Sequence, residues 1–207
     1  MHKIAVLAVG PGSPEYLPPA VVGKVKECDL LVGGKRNLAL FDLQGREKIE
    51  IKGKLDPVLA EIKREMVNRK IGILVSGDTG IYSILPRLVR EFGRAALDVY
   101  PGISAVQYMF ARLGLCWQDA RYLSLHGRKL DGLAAEVEGE GIVALFTDKK
   151  HSPAVVCRTL AEAGLKDKKV YIGEDLSYST EKISEGRAED FTAHSGSDLN
   201  LVVICSE

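Results

Sequence analysis

Three glycine-containing turns, each placed directly after a short apolar run, constrain the fold of this 207-residue chain more than any other feature. The apolar runs are residues 3–9, 71–75 and 97–100, and the turns that follow read GPG, SGDTG and PGIS. Each turn leads into a stretch whose apolar residues recur at helical spacing. Alternation of strand, turn and helix predicts a mostly parallel sheet with helices on both faces.

The pattern changes after residues 114–120, where we place a domain boundary. Beyond that segment the sequence predicts a helix and further strands, the last two of them antiparallel neighbours; the strands are 121–125, 142–146, 169–172, 181–185 and 199–205, and the helix is 153–163. The predicted fold class is α/β, with two α/β domains, 1–115 and 116–207. The first should hold a mostly parallel sheet and the second a mixed sheet.

Composition excludes several classes of function. Lys plus Arg and Asp plus Glu both number 28, so the net charge is zero, whereas general binders of nucleic acid or of membrane surfaces carry a basic excess. The four cysteines are widely spaced with no CxxC pair, which argues against a zinc site and a disulfide framework and favours free thiols in a reducing cytoplasm. The apolar run at residues 3–9 is too short for a signal peptide core or a membrane span.

The three turns point to a ligand at one edge of the predicted sheet. In open parallel sheets ligands bind at the carboxyl ends of the strands, and glycine lets a ligand approach the backbone closely. Asp78 should face the same edge. None of the turns is a Walker A loop or a GxGxxG dinucleotide fingerprint. A purely structural reading remains open, in which Asp78 and Ser104 are helix N-caps.

Three stretches carry a resemblance to a known family: GPGSPEYL at 10–17, SGDTGIY at 76–82 and YPGISAVQ at 100–107. They resemble the tetrapyrrole methylases, which use S-adenosylmethionine. ARLGLCWQDA at 111–120, LSLHGR at 123–128, and GEDLSY at 173–178 followed by EKI at 181–183 are similar to the branch that methylates carbon 5 of a corrin precursor in cobalamin biosynthesis. The chain departs from the family pattern at Ala8 and Thr79, where members often carry glycine and proline.

The resemblance implies two α/β domains with S-adenosylmethionine in the cleft between them. Methyl transfer then needs alignment of donor and acceptor, which can supply about 7–11 kcal/mol, and neither a metal nor a covalent intermediate. The residues that the resemblance assigns to the cofactor are Pro11, Gly77, Asp78, Gly80, Ile81, Ser104, Ala105, Thr147 and Gly173.

The acceptor ring that the resemblance implies carries many carboxylates, which guanidinium groups bind well. We expect Arg128 and then Arg112 to bind it, although most single arginines are solvated surface charges. His126 and Glu174 are the candidates for proton transfer, with a structural histidine and an exposed loop carboxylate as the alternatives. Trp117 and Cys116 are expected to be buried packing residues.

Two other classes of function stay open. One is a related methylase that acts on another ring carbon, an RNA ribose or a modified protein histidine. The other is a flavodoxin-like binding module without chemistry, whose glycine turns would look similar. The family resemblance further implies a homodimer and a separate decarboxylating carbon-15 methyltransferase, because some relatives carry that activity as a fused second domain. Whether the acceptor holds cobalt is left open.

Overall fold

The computed structural model describes residues 2–42, 45–125, 132–139 and 141–206. The chain divides into two compact units, Met1–Ser104 and Ala105–Glu207. The helix that follows the third glycine turn therefore belongs to the second unit, whereas the boundary at residue 115 assigned it to the first. The predicted domains 1–115 and 116–207 stay a prediction.

The first unit is built on a parallel sheet that has helices on both faces. The order of its strands among the described residues is β3-β2-β4-β1-β5, and all the pairs are parallel. The elements are β1 (Ile4–Ala8), α1 (Pro19–Lys26), β2 (Leu30–Gly33), α2 (Lys35–Leu38), β3 (Glu47–Glu50), α3 (Leu55–Glu65), β4 (Ile71–Val75), α4 (Leu85–Phe92) and β5 (Leu97–Tyr100).

Strand β1 is an interior strand of this sheet, between β4 and β5, and all five of its residues are buried. Val6 is opposite Ile73 on one side and Val99 on the other. Alternate residues of β1 enter two separate apolar clusters, one containing residues of α3 and α4 and the other containing residues of α1. Burial on both faces is what a parallel sheet requires, so the predicted α/β class is confirmed.

The second unit contains a mixed sheet in the order β6-β7-β10-β8-β9. Strand β6 pairs parallel with β7, and the other described pairs are antiparallel. Its elements are α5 (Ala105–Leu113), β6 (Arg121–Ser124), α6 (Leu133–Glu138), β7 (Gly141–Phe146), α7 (Pro153–Glu162), β8 (Lys169–Glu174), β9 (Lys182–Arg187) and β10 (Asn200–Ser206).

The expectation that the last two strands are neighbours was wrong. Strand β8 lies between β9 and β10 and is antiparallel to both. One face of the sheet packs against α6 and α7 in a single apolar cluster that includes Val143, Leu160 and Val202. Helix α5 packs on the other face, where Met109 lies against Gly173.

The cysteines are free, and two of them are deeply buried. Burial raises the pKa of Cys28 to about 11 and that of Cys157 to about 12, so both thiols stay protonated and unreactive. Cys116 is exposed and the Trp117 side chain is 46% exposed, so the expectation that they are buried was wrong. Both lie in the irregular segment 114–120, outside the apolar cores.

Within the described ranges, every helix is too short or too polar to cross a membrane.

Candidate functional site

The three glycine turns lie side by side, as predicted, because they follow β4, β1 and β5, which are adjacent strands. The first and second turns are joined through the backbone. The amide of Gly10 donates to the carbonyl of Gly77 at 3.2 Å, and the amide of Gly77 donates to the carbonyl of Gly10 at 2.7 Å. The reciprocal pair fixes the spacing of these turns without any side chain.

Asp78 joins the second turn to the third. Its Oδ1 accepts from the amide of Gly80 at 2.7 Å, and its Oδ2 accepts from the amide of Gly102 at 3.0 Å. Helix α4 begins only at Leu85, so the interpretation of Asp78 as a helix N-cap was wrong. The carboxylate instead holds two loops together across 24 residues of sequence.

The glycines of these turns are required by the packing of one loop against another. A Cβ on Gly102 would lie 2.6 Å from the Gly77 carbonyl oxygen and 2.8 Å from the Cβ of Ala8. Gly10 has a φ of +78°, and a Cβ there would lie 2.7 Å from the carbonyl oxygen of Tyr16. Ala8, a departure from the family pattern, therefore fills the space directly beside Gly102.

The remaining side chains at this edge are apolar or small. Ser104 and Thr79 are buried, Ile81 is half-buried, and Tyr82 and Ile103 are exposed. Tyr82 also has a φ of +45°, a left-handed conformation that is uncommon for a non-glycine residue.

The charge of this edge restricts the class of ligand. Residues 8–19, 76–84 and 101–104 contain no Lys, Arg or His, and the carboxylate of Asp78 is already bonded to two amides. Phosphate sites in proteins usually add a basic side chain to the backbone donors. A backbone-lined edge with exposed apolar side chains fits the adenosine and sulfonium of S-adenosylmethionine better than it fits a nucleotide phosphate.

In the second unit, Thr147 and Gly173 lie near the carboxyl ends of β7 and β8. The Thr147 hydroxyl is buried and donates to the carbonyl oxygen of Asn200 at 3.0 Å. A Cβ on Gly173 would lie 2.6 Å from the Sδ of Met109, so this glycine allows α5 to approach the sheet. Both residues have a structural role within their own unit, and their contact with a cofactor stays a prediction.

Glu174 is 4% exposed and anchors the segment before β10. Its Oε1 accepts from the amide of Ser197 at 2.7 Å, and its Oε2 lies 3.3 Å from Nε2 of His194. A Cβ on Gly196 would overlap Oε1, so glycine is needed there. The expected alternative role, an exposed loop carboxylate, was wrong, and the role of Glu174 in proton transfer stays a prediction.

Arg112 lies near the end of α5 and forms an ion pair that the sequence did not suggest. Its Nε donates to Oε1 of Glu181 at 2.9 Å. Tyr108, one helical turn earlier, also bonds to Glu181, and this i, i+4 spacing is the signal that could have identified the cluster. The other predicted substrate and proton-transfer residues, Arg128 and His126, lie outside the described residues.

The Glu181 carboxylate is ionised at neutral pH. Its burial acts to raise its pKa, but the hydrogen bonds from Tyr108 and from the Ser177 amide and the charge of Arg112 together outweigh burial, so the pKa lies below its usual value. A permanent negative charge therefore faces the guanidinium of Arg112.

Comparison with known proteins places these features in a family. Residues 3–192 match the model of the tetrapyrrole (corrin/porphyrin) methylases. The chain is 32% identical over 204 residues to the cobalt-precorrin-7 C(5)-methyltransferase of Salmonella typhimurium, covering 99% of both chains. It is 24% identical to a precorrin-6Y C(5,15)-methyltransferase (decarboxylating) of Sinorhizobium sp., covering 97% of this chain but 49% of that protein.

Solved structures share the fold. A precorrin-6Y methylase from Archaeoglobus fulgidus superposes with a TM-score of 0.76 at 20% identity, with both chains fully covered. The uroporphyrin-III C-methyltransferase of Thermus thermophilus, solved in complex with S-adenosylhomocysteine, gives a TM-score of 0.77 at 16% identity, covering 98% of this chain and 92% of that one. At these identities the likeness concerns the fold.

Proposed function

Since the chain belongs to the tetrapyrrole (corrin/porphyrin) methylases, we propose that it is an S-adenosylmethionine-dependent methyltransferase that methylates carbon 5 of cobalt-precorrin-7, or its metal-free equivalent, in cobalamin biosynthesis. The observation that carries this proposal is the full-length similarity to the Salmonella typhimurium protein. The match covers 99% of both chains, so it includes both units of this protein.

The interlocked turns of the first unit would hold the methyl donor. S-adenosylmethionine, when bound, supplies a methyl group activated by its sulfonium. The chain contributes backbone at Pro11, Gly77 and Gly80 and, beside them, the half-buried Ile81. Ser104 and Ala105 follow the third turn. Asp78 acts indirectly, because both of its oxygens hold loop amides.

Residues of the second unit complete the proposal. We assign Thr147 and Gly173 to the cofactor, and Arg112 and Arg128 to carboxylates of the acceptor. His126 and Glu174 are the proposed proton-transfer groups. The family resemblance supports these assignments, and the exposed guanidinium of Arg112 agrees with its role.

The assembly and surroundings follow from the same family. We propose a homodimer that acts together with a separate decarboxylating carbon-15 methyltransferase, and the family resemblance supports both parts of this proposal. The free cysteines fit a reducing compartment, which we take to be the cytoplasm.

Calorimetric titration with S-adenosylhomocysteine tests the donor site. We expect wild-type protein to bind it and Asp78→Ala to bind it much more weakly, with Asp78→Asn between them because one acceptor oxygen remains. Asp98→Asn is the matched control, since Asp98 is a carboxylate of the same unit that bonds to Tyr100 on its own strand. Wild-type protein that fails to bind, with or without the acceptor, would exclude the methyltransferase and favour the binding module.

The reaction itself is tested with methyl-labelled donor and a corrin precursor. Carbon-13 nuclear magnetic resonance of the product should place the label at carbon 5. Label at another carbon would contradict methylation at carbon 5 and would indicate a related methylase instead.

A further inference from the structure

We propose that Glu181 is a positioning residue, which holds the guanidinium of Arg112 so that its terminal nitrogens can bind a carboxylate of the tetrapyrrole. The inference rests on the proposed function and concerns how the same site recognises its acceptor. Glu181 itself would not touch the substrate.

Arg112 contacts Glu181 through Nε, which leaves its terminal nitrogens available for a ligand. Arg112 uses Nε to reach Oε1 of Glu181 at 2.9 Å. A guanidinium has five N–H groups, and the four on the terminal nitrogens point away from Nε in a planar fork that matches a carboxylate. The Arg112 side chain is 55% exposed whereas that of Glu181 is 15% exposed, so the carboxylate is largely covered while more than half of the arginine side chain is open to solvent.

Glu181 is itself held from two directions. Its Oε2 accepts from the amide of Ser177 at 2.7 Å, and Tyr108 donates a further hydrogen bond. Tyr108 and Arg112 are one turn apart on α5, so they reach Glu181 from the same face of the helix. A carboxylate fixed by three groups removes freedom from the arginine side chain before a ligand arrives, which lowers the entropic cost of binding.

The loop that carries Glu181 contains two left-handed residues and is crossed by hydrogen bonds. Asp175 and Ser177 have φ values of +44° and +71°, although neither is glycine. Thr180 donates to Oδ2 of Asp175 at 3.1 Å, and the amide of Glu181 donates to the Tyr178 carbonyl at 3.0 Å. Left-handed non-glycine residues are unfavourable and persist where surrounding contacts fix the geometry. A plain connection between β8 and β9 would not need these conformations.

Arg112 lies on the same helix as Ala105, about two turns further along. Helix α5 begins at Ala105, a proposed cofactor contact, and the rise per residue puts Arg112 about 10 Å further along the helix axis. A macrocycle with its reacting carbon near the donor would extend its carboxylate side chains over such a distance. The competing explanation is an ordinary exposed ion pair, which contributes little to stability and nothing to substrate binding.

Steady-state kinetics on Arg112→Lys and Glu181→Gln separate the two explanations. Lysine keeps the charge but loses the fork, and glutamine keeps the shape but loses the charge. We expect each to raise the KM for the corrin acid roughly tenfold, the effect of one charged hydrogen bond, with kcat and affinity for S-adenosylhomocysteine within about twofold of wild type. Unchanged KM in both variants would overturn the inference.

Matched controls come from a second ion pair of the same unit. Arg121 and Glu136 are 3.1 Å apart and about equally exposed, so Arg121→Lys and Glu136→Gln should leave the KM unchanged. If the KM rises equally in these controls, the loss of any ion pair is enough to raise the KM, and the inference would also be overturned.

The charge-swapped variant Arg112→Glu with Glu181→Arg gives a further readout. It restores an ion pair but moves the guanidinium, so thermal stability should recover while KM stays high; recovery of KM would overturn the inference. If the swap does not fold, the lysine and glutamine variants decide. A wild-type protein that binds S-adenosylhomocysteine but methylates no corrin acid would instead overturn the proposed function, and the inference with it.

Discussion

In each unit, loops at the ends of the strands are held in place by a different kind of group. In the first unit, Gly10 and Gly77 bond through their backbones and Gly102 packs against Ala8. In the second unit, the carboxylates of Glu174 and Glu181 hold loop amides. The first edge therefore depends on the absence of side-chain bulk. Among the contacts described above, Asp78 is the one carboxylate that links its turns. The second edge depends on carboxyl side chains that accept hydrogen bonds from loop amides.

Adding one methyl group at Gly102 should break the first edge most severely. In Gly102→Ala the new Cβ would lie 2.6 Å from the Gly77 carbonyl oxygen, so the turns must separate. We expect a loss of about 3 kcal/mol in the free energy of unfolding of the first unit and loss of S-adenosylhomocysteine binding. Urea unfolding and calorimetry measure both.

Thiol labelling localises the damage. Cys28 should label faster in Gly102→Ala while Cys157, buried in the second unit, stays protected; the exposed Cys116 labels in every variant. Gly23→Ala is the control, because nothing lies within 4 Å of a Cβ at that position in α1. Equal binding by both variants would show that the turns do not depend on their close approach.

Replacing Glu174 tests whether this residue transfers a proton or only anchors the segment before β10. Glu174→Gln keeps an oxygen for the Ser197 amide, so we expect a loss of only about 1 kcal/mol in unfolding free energy. If Glu174 transfers a proton, kcat should fall about 100-fold or more. A kcat within a few-fold of wild type would leave Glu174 as an anchor only and His126 as the remaining candidate.

Gly196→Ala disturbs the same anchor through bulk. Its Cβ would overlap Oε1 of Glu174 and push the carboxylate off the Ser197 amide. A buried carboxylate without its donor costs about 2 kcal/mol. Cys157 should then label faster and Cys28 should not, the reverse of Gly102→Ala. Gly139→Ala has free space around its Cβ and is the control; equal effects of the two substitutions would contradict the overlap.

Acid should weaken the second edge through Glu181. Its folded-state pKa is lowered, so its contribution to stability is present above the unfolded-state pKa, about 4.3, and is lost as pH falls through the folded-state value. Urea unfolding of wild type and Glu181→Gln should differ by about 1 kcal/mol at pH 7 and converge toward pH 3. A difference that is constant over this range would mean that the charge of Glu181 does not contribute.

The sequence predicted the parts of the fold that depend on local pattern. The buried strands β1 and β4 are continuous apolar runs, and the glycine turns after them have an unmistakable composition. Strand β3 was missed because its residues, EKIE, are mostly charged and lie at a sheet edge. The N-cap interpretation of Asp78 failed because its distant partner, Gly102, is set by strand order, which local pattern does not contain.

The site was less predictable than the fold. The family resemblance included both Arg112 and Glu181, but their pairing is visible only when α5 and the loop after β8 are brought together. Trp117 and Cys116 were expected to be buried because of their residue type alone, and residue type does not report where an irregular segment runs.

The position of β1 between β4 and β5 has a consequence for synthesis of the chain. Val6 pairs with Ile73 and Val99, so the first apolar strand to leave the ribosome has no partner until residues far downstream have been made. At about 5–20 residues per second, that wait is roughly 3 to 20 seconds. During this interval the run IAVLAV is made without its sheet partners, and codons that slow translation before residue 73 would lengthen that interval.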